Sequence, residues 1–189
     1  AQKRSRSTTR QAAVTALTAQ NTQAVTAVHA IAPSFVRAQI EAVLSDLPVD
    51  AIKLGMLASA AVIHVVADVL LTVPKIPVVL DPVMLSKSGA ALLGPDAVDA
   101  LRRRLLPLSC VLTPNLPEAA ALLGLTEAEL LPHPSRGESR RVPDSVLLDI
   151  CRRLQAWGAA SVVLKGGHID PEGPVSDDFF WDGRFPMRL

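Results

Sequence analysis

The chain has 189 residues, and its 19 Lys and Arg against 18 Asp and Glu leave a formal net charge of +1, which excludes a polyanionic tail and gives no footing for a nucleic-acid partner. Two cysteines exclude a disulfide framework and point to a reduced, cytoplasmic protein. Aromatic residues are only 3%, with no Tyr, so the core has to be built from Ala, Val, Leu and Ile, the filling of buried parallel strands.

The first ten residues, AQKRSRSTTR, are basic and acid-free, and no apolar run follows as a secretory signal would require. Residues 1–11 therefore read as a disordered or misassigned leader and 12–189 as one domain. Ala12–Leu17 predicts a strand. Pro33–Leu47 predicts a helix, with Phe35, Val36, Ile40, Val43, Leu44 and Leu47 on one face. A strand at Ala51–Leu54 and a helix at Ala58–Leu71 come next. The apolar stretch Met56–Val73 holds His64 and Asp68, both costly at a bilayer centre, so it reads as core rather than as a membrane span.

Val78–Leu80 predicts a strand ending at Asp81-Pro82, Pro95–Leu106 a helix with a solvated basic run at Arg102–Arg104, and Cys110–Leu112 a strand. Pro117–Leu123 predicts a short helix closed by Gly124. Thr126–Pro143, polar and Pro-containing, reads as a surface excursion. Asp144 caps a helix that runs to Trp157 and ends at Gly158. Ser161–Leu164 is the last predicted parallel strand, and Asp182-Gly183 within Phe179–Phe185 signals a hairpin. Strands alternating with helices predict a mostly parallel α/β sheet covered on both faces, with ligands beyond the carboxyl ends of the strands.

Those ends read Thr18-Ala19-Gln20-Asn21, Lys53-Leu54-Gly55-Met56, Asp81-Pro82, Thr113-Pro114-Asn115 and Lys165-Gly166-Gly167-His168. Asp81 and Glu118 can share a hard cation through oxygen ligands. Lys165, followed by two glycines, can hold a phosphate that the backbone approaches closely. Asn115 and Glu118 stand three apart where a helix begins, beside free N–H groups and a positive dipole end. Gln20 can pair with the donor–acceptor edge of a small heterocycle, and Met56 can cover its ring.

Each residue also has a purely structural reading. Asp81 can shape a turn, Asn115 can be an N-cap, Glu118 can complement the helix dipole, Gly166-Gly167 can form a turn, and Met56 can fill the core. Their occurrence together at successive strand ends favours a phosphoryl-transfer site.

The blocks ALTAQNTQ (16–23), IKLGMLAS (52–59), VVLDPVMLSKSG (78–89), LTPNLPEAAALLG (112–124) and VVLKGGH (162–168) resemble, in order, those of the hydroxymethylpyrimidine/phosphomethylpyrimidine kinases of thiamine biosynthesis, in the ribokinase-like superfamily. The resemblance covers residues 12 to 185. It implies a doubly wound α/β/α sandwich, a homodimer, and Mg- and ATP-dependent phosphorylation of 4-amino-5-hydroxymethyl-2-methylpyrimidine and then of its monophosphate. It also implies roles. Gln20, Thr18 and Met56 would bind the pyrimidine, and Asp81 and Glu118 would organise Mg and the phosphates. Asn115, Gly166 and Gly167 would lie at the nucleotide, and Lys165 would neutralise charge on the transferring phosphoryl group.

Two family features are not in these 189 residues: a Gly-rich S-G-G-A-G-I-Q-A-D segment upstream of the first block, and a G-T-G-C or G-T-G-D motif shortly after the hairpin. The expectation is an incomplete sandwich lacking its first strand and closing helices. Cys110 and Cys151 read as buried thiols that do not replace the missing motif, and His29, His64, His133 and His168 offer no clear base. Besides the kinase, two alternatives stand: a catalytically inactive pyrimidine- or nucleotide-binding or subunit-pairing fragment, and a pyridoxal kinase-like activity.

Overall fold

A computed structural model of the protein describes residues 9–22, 25–84, 92–131, 142–166 and 177–189. Eight strands form two sheets among them. β1 (Ala16–Gln20) and β2 (Val25–Ala30) make an antiparallel pair of their own. The larger sheet has the order β3-β4-β5-β6-β7-β8, with β3 (Ile52–Leu54), β4 (Val78–Leu80), β5 (Val111–Leu112) and β6 (Val162–Leu164) parallel. β7 (Phe179–Trp181) and β8 (Pro186–Arg188) close it as an antiparallel hairpin. The mixed, mostly parallel α/β architecture is the one expected.

The helices are α1 (Pro33–Asp46), α2 (Ala60–Thr72), α3 (Pro95–Ala100), α4 (Leu116–Leu123), α5 (Glu127–Leu130) and α6 (Asp144–Gln155). The parallel strands are laid down in sequence, and right-handed crossovers between them place the connecting helices on one face. The burial pattern agrees. Side chains alternate across a strand, and Leu54, Leu80, Leu112 and Leu164 share a face on which none is more than 7% exposed. Phe179 and Trp181 continue that buried face, by register with Leu164 and Val162. Lys53, Val79, Val111 and Val163 point the other way, and none of them is buried. Fully burying one such Leu contributes about 1.5–3 kcal/mol, so the leucine face is one substantial part of the core that the helices complete. No helix among the described residues is long and apolar enough to cross a membrane.

Four expectations need correction. Asp144 does not cap α6: it is the first residue of that helix, Pro143 holds the N-cap position without a side-chain capping bond, and the Asp144 carboxylate accepts from Arg188 instead. Ala12–Leu17 does not form a strand of the parallel sheet; the strand begins at Ala16 and pairs with Val25–Ala30, a strand that the sequence pattern did not predict. Both strands are largely exposed, so neither shows the continuous apolar run that marks a buried strand. The helix predicted over Pro95–Leu106 keeps α-geometry only to Ala100, then passes through a π-turn (Leu101–Leu105) and a 3-10 turn (Leu106–Leu108). Pro107 cannot supply the N–H that an α-helix would use there. The excursion after Thr126 begins with the short helix α5, opened by a Thr126–Glu129 capping box. Residues 1–8 of the leader and 132–141 of the excursion, with His133, lie outside the described residues.

Candidate functional site

The four parallel strands end on one edge, and their register aligns the residues just beyond them. The Asp81 N–H donates to the Leu54 carbonyl (2.9 Å), that of Thr113 to Leu80 (2.9 Å), and that of Lys165 to Pro114 (2.8 Å). Asn115 and Lys165 meet in a parallel bridge just past β5 and β6. Period-2 alternation then puts Lys53, Asp81, Thr113 and Lys165 on the face opposite the buried leucines. That face is the open one, so charged groups there stay partly solvated.

Asp81 is the hub. Its Oδ1 lies 2.8 Å from Lys165 Nζ and its Oδ2 lies 3.0 Å from Lys53 Nζ. Burial alone would push its carboxyl up, but the hydrogen bonds and positive charges of Lys165 and Lys53 outweigh that and hold it below the usual Asp range. Lys165 Nζ also stands 3.7 Å from Glu118 Oε2.

Glu118 and Asn115 form a reciprocal capping box at the start of α4. Glu118 Oε2 accepts the Asn115 N–H at 2.9 Å, and Asn115 Oδ1 accepts the Glu118 N–H at 2.8 Å. The Met84 N–H donates to the same Glu118 carboxylate, tying the segment after β4 to that after β5. Burial raises the Glu118 pKa, and the nearby Asp81 charge adds to it; hydrogen bonds from Asn115 and Met84 and the Lys165 charge only partly offset this. Gly124 closes α4 at φ 71°, the left-handed C′ position expected of it.

Gly166 is fixed by a close approach rather than by a turn. Its N–H donates to Asp178 Oδ1 (2.8 Å), and a Cβ there would overlap the Asp177 carbonyl. Gly167 and His168 lie outside the described residues, as do residues 85–89 of the VVLDPVMLSKSG block.

The structure thus brings Asp81, Asn115, Glu118, Lys165 and Gly166 to one place. It does not bring Thr18 and Gln20 there. Both are exposed on β1, and among the described residues no side-chain hydrogen bond or ion pair links them to the cluster. Met56, past β3, lines a cavity of about 400 Å³ at the free edge of that strand, with Thr15, Lys53, Ile40 and Leu44. The Thr15 hydroxyl donates to the Met56 carbonyl (2.6 Å) and so fastens the entry to β1 there. Cys110 is half-buried and Cys151 is buried in α6. Lys53 is the charged residue to which sequence reasoning gave no role. Its signal was its position two residues before Gly55, which puts it in phase with Asp81 once β3 and β4 pair.

A mostly parallel sheet with its charge on the carboxyl edge makes this a ribokinase-like α/β protein, and solved structures agree. The phosphomethylpyrimidine kinase from Clostridium difficile superposes with a TM-score of 0.75 at 32% identity, over 93% of this chain and 69% of that one. A Staphylococcus aureus pyridoxal kinase in complex with AMP-PCP and pyridoxal gives 0.72 at 28% identity, over 93% and 58%. The hydroxymethylpyrimidine/phosphomethylpyrimidine kinase of Escherichia coli is 47% identical over 159 residues, 84% of this chain and 55% of that protein. The sequence model of the phosphomethylpyrimidine kinase family matches residues 5–188, and the chain belongs to that family. It spans little more than half the length of the Escherichia coli relative.

Proposed function

We propose that the protein transfers the terminal phosphoryl group of ATP to 4-amino-5-hydroxymethyl-2-methylpyrimidine, and then to its monophosphate, in thiamine biosynthesis. The observation that carries this reading is the joining of Asp81, Lys165, Asn115 and Glu118 at the sheet's carboxyl edge, in a chain of this family. Phosphoryl transfer asks mainly for positioning and for neutralisation of charge. Lys165, 36% exposed on a flexible stem, is the group suited to move from Asp81 onto the transferring phosphoryl group. In this reading Asn115, Gly166 and Gly167 bind the nucleotide and Met56 borders the pyrimidine, and Thr18 and Gln20, which stand apart from the cluster on β1, would reach the pyrimidine only when it is bound.

The carboxylates of Asp81 and Glu118 are hard oxygen donors suited to a divalent cation, and no group of three or more possible metal ligands occurs among the described residues. Two carboxylates fit Mg, which commonly keeps water and substrate phosphates as its other ligands. When bound, Mg would supply charge neutralisation between the phosphates. The same reading carries a cytoplasmic location, a small-molecule substrate with ATP, no nucleic-acid or membrane partner, and a homodimer.

The test is incubation of the purified protein with Mg-ATP and, separately, the hydroxymethylpyrimidine, its monophosphate and pyridoxal, with products identified by mass spectrometry. The proposal expects the mono- and pyrophosphate of the pyrimidine, with pyridoxal phosphorylated far more slowly. Faster phosphorylation of pyridoxal would assign the chain to that chemistry instead, and saturable pyrimidine binding without any product would favour the binding-only alternative.

A further inference from the structure

The two lysines on Asp81 do not compete. Lys165 uses Oδ1, at 2.8 Å, and Lys53 uses Oδ2, at 3.0 Å. They come from strands on opposite sides of β4, since β3 and β6 flank β4 and β5. Lys165 has a second carboxylate within reach, Glu118 at 3.7 Å, whereas Asp81 is the acid paired with Lys53 among the described residues. The cluster holds two ammonium groups and two carboxylates, so it is neutral as it stands. When Lys165 moves to an incoming phosphoryl group, Asp81 loses one partner and still faces the buried Glu118. A carboxylate so placed would draw Lys165 back unless another cation stays on it, and Lys53 is the one the protein itself supplies, whether or not a divalent cation shares the carboxylate.

We propose that Lys53 is a positioning residue that remains on Asp81 Oδ2 and so frees Lys165 for the phosphoryl group. This rests on the phosphotransfer reading above. Lys53 acts through Asp81 and needs no contact with substrate. Its side chain is 66% exposed, so replacing it opens no cavity. It holds its place through a hydrogen bond that Arg can also make and that Met cannot.

The test compares Lys53→Met, Lys53→Gln and Lys53→Arg with the unaltered protein, each checked for an unchanged melting temperature. The first readout is binding of Mn²⁺ alone, without nucleotide, by electron paramagnetic resonance. Mn²⁺ here probes the charge balance at Asp81. Removing a cation 3.0 Å from Oδ2 leaves the carboxylate more attractive to another, so Lys53→Met and Lys53→Gln should bind Mn²⁺ several-fold more tightly, and Lys53→Arg should match the unaltered protein. The second readout is steady-state kinetics, where kcat should fall about tenfold in the Met and Gln variants while KM for the pyrimidine stays within about twofold, with Arg restoring kcat.

Unchanged Mn²⁺ affinity in folded Met and Gln variants overturns the positioning role, whatever the activity. Where the unaltered protein transfers phosphoryl groups, equal kcat in all four proteins overturns it too. Tighter Mn²⁺ binding by the Met and Gln variants, with no phosphoryl transfer in the unaltered protein, supports the charge clamp and counts against the kinase reading alone.

Discussion

Glu118 is a buried carboxylate that also holds up local structure, and two substitutions separate its charge from its hydrogen bonds. Its side chain is only 5% exposed, yet it ends within 3.7 Å of Lys165 and accepts the N–H groups of Asn115 and Met84. Glu118→Ala strands both donors. A buried N–H left without a partner costs about 1–3 kcal/mol, so two cost roughly 2–4 kcal/mol after partial relaxation. At this chain length that is a fall in Tm of roughly 4–16 °C.

Glu118→Gln keeps an acceptor oxygen and sheds the buried charge, so it should stay within about 1 kcal/mol of the unaltered protein near neutral pH. The pH dependence comes from linkage. Burial raises the Glu118 pKa in the folded state above the usual value of 4.5, so between those two values the folded chain binds the extra proton. Stability from this group is therefore present below 4.5 and is lost as pH rises through the folded value. The unaltered protein should gain on Glu118→Gln as pH is lowered through that window.

Urea unfolding in EDTA, so that bound cations play no part, measures both effects. A Glu118→Gln variant as unstable as Glu118→Ala, or a stability difference from the unaltered protein that does not change with pH, would refute the reasoning.

The geometry around Gly166 and Cys151 sets two further outcomes. Gly166→Ala should displace the 177–178 segment, because its Cβ has no room beside the Asp177 carbonyl; loss of several degrees in Tm is expected, and a melting curve unchanged by the substitution would contradict the close approach. Burial pushes the Cys151 thiol up to about 12, so a thiol reagent should label Cys151 only on unfolding, and rapid labelling of the native protein, located by peptide mass mapping, would contradict this.

The parallel layer was legible in the sequence for a physical reason. Strands with a face buried under helices read as short β-branched or leucine runs, and Val78–Leu80 was found at its full extent. Turn chemistry was equally readable. Gly124 closes α4 in the left-handed conformation, and the Asp182 carboxylate accepts the N–H groups of Arg184 (2.8 Å) and Phe185 (2.7 Å) to shape the β7–β8 turn.

The exposed hairpin was not legible. Val25–Ala30 buries little, so its sequence lacks the pattern that burial imposes, and only its β-branched Val25, Thr26 and Val28 hinted at a strand. Without that strand, Thr18-Ala19-Gln20-Asn21 read as an end of the main sheet, a place these residues do not hold. Asp81, Asn115, Glu118 and Lys165 were legible because register alone brings strand ends together. Lys53 was not, since its partnership depends on which residues of β3 and β4 lie side by side. Asn115 and Glu118 cap each other, and Gly166 makes room for backbone, so the atoms proposed for nucleotide and metal binding also have structural work.

The most direct test of the account is phosphoryl transfer from ATP to the hydroxymethylpyrimidine by Lys165→Ala, with pyrimidine binding and melting measured alongside. In the proposed mechanism Lys165 would supply the charge that neutralises the transferring group, and loss of one such group costs on the order of a hundredfold or more in kcat. The account expects a fall of that size, with pyrimidine affinity kept and the fold intact. Retention of more than about a tenth of the rate would contradict it, since a loss below about 1.4 kcal/mol is too small for the group that neutralises the transferred phosphoryl.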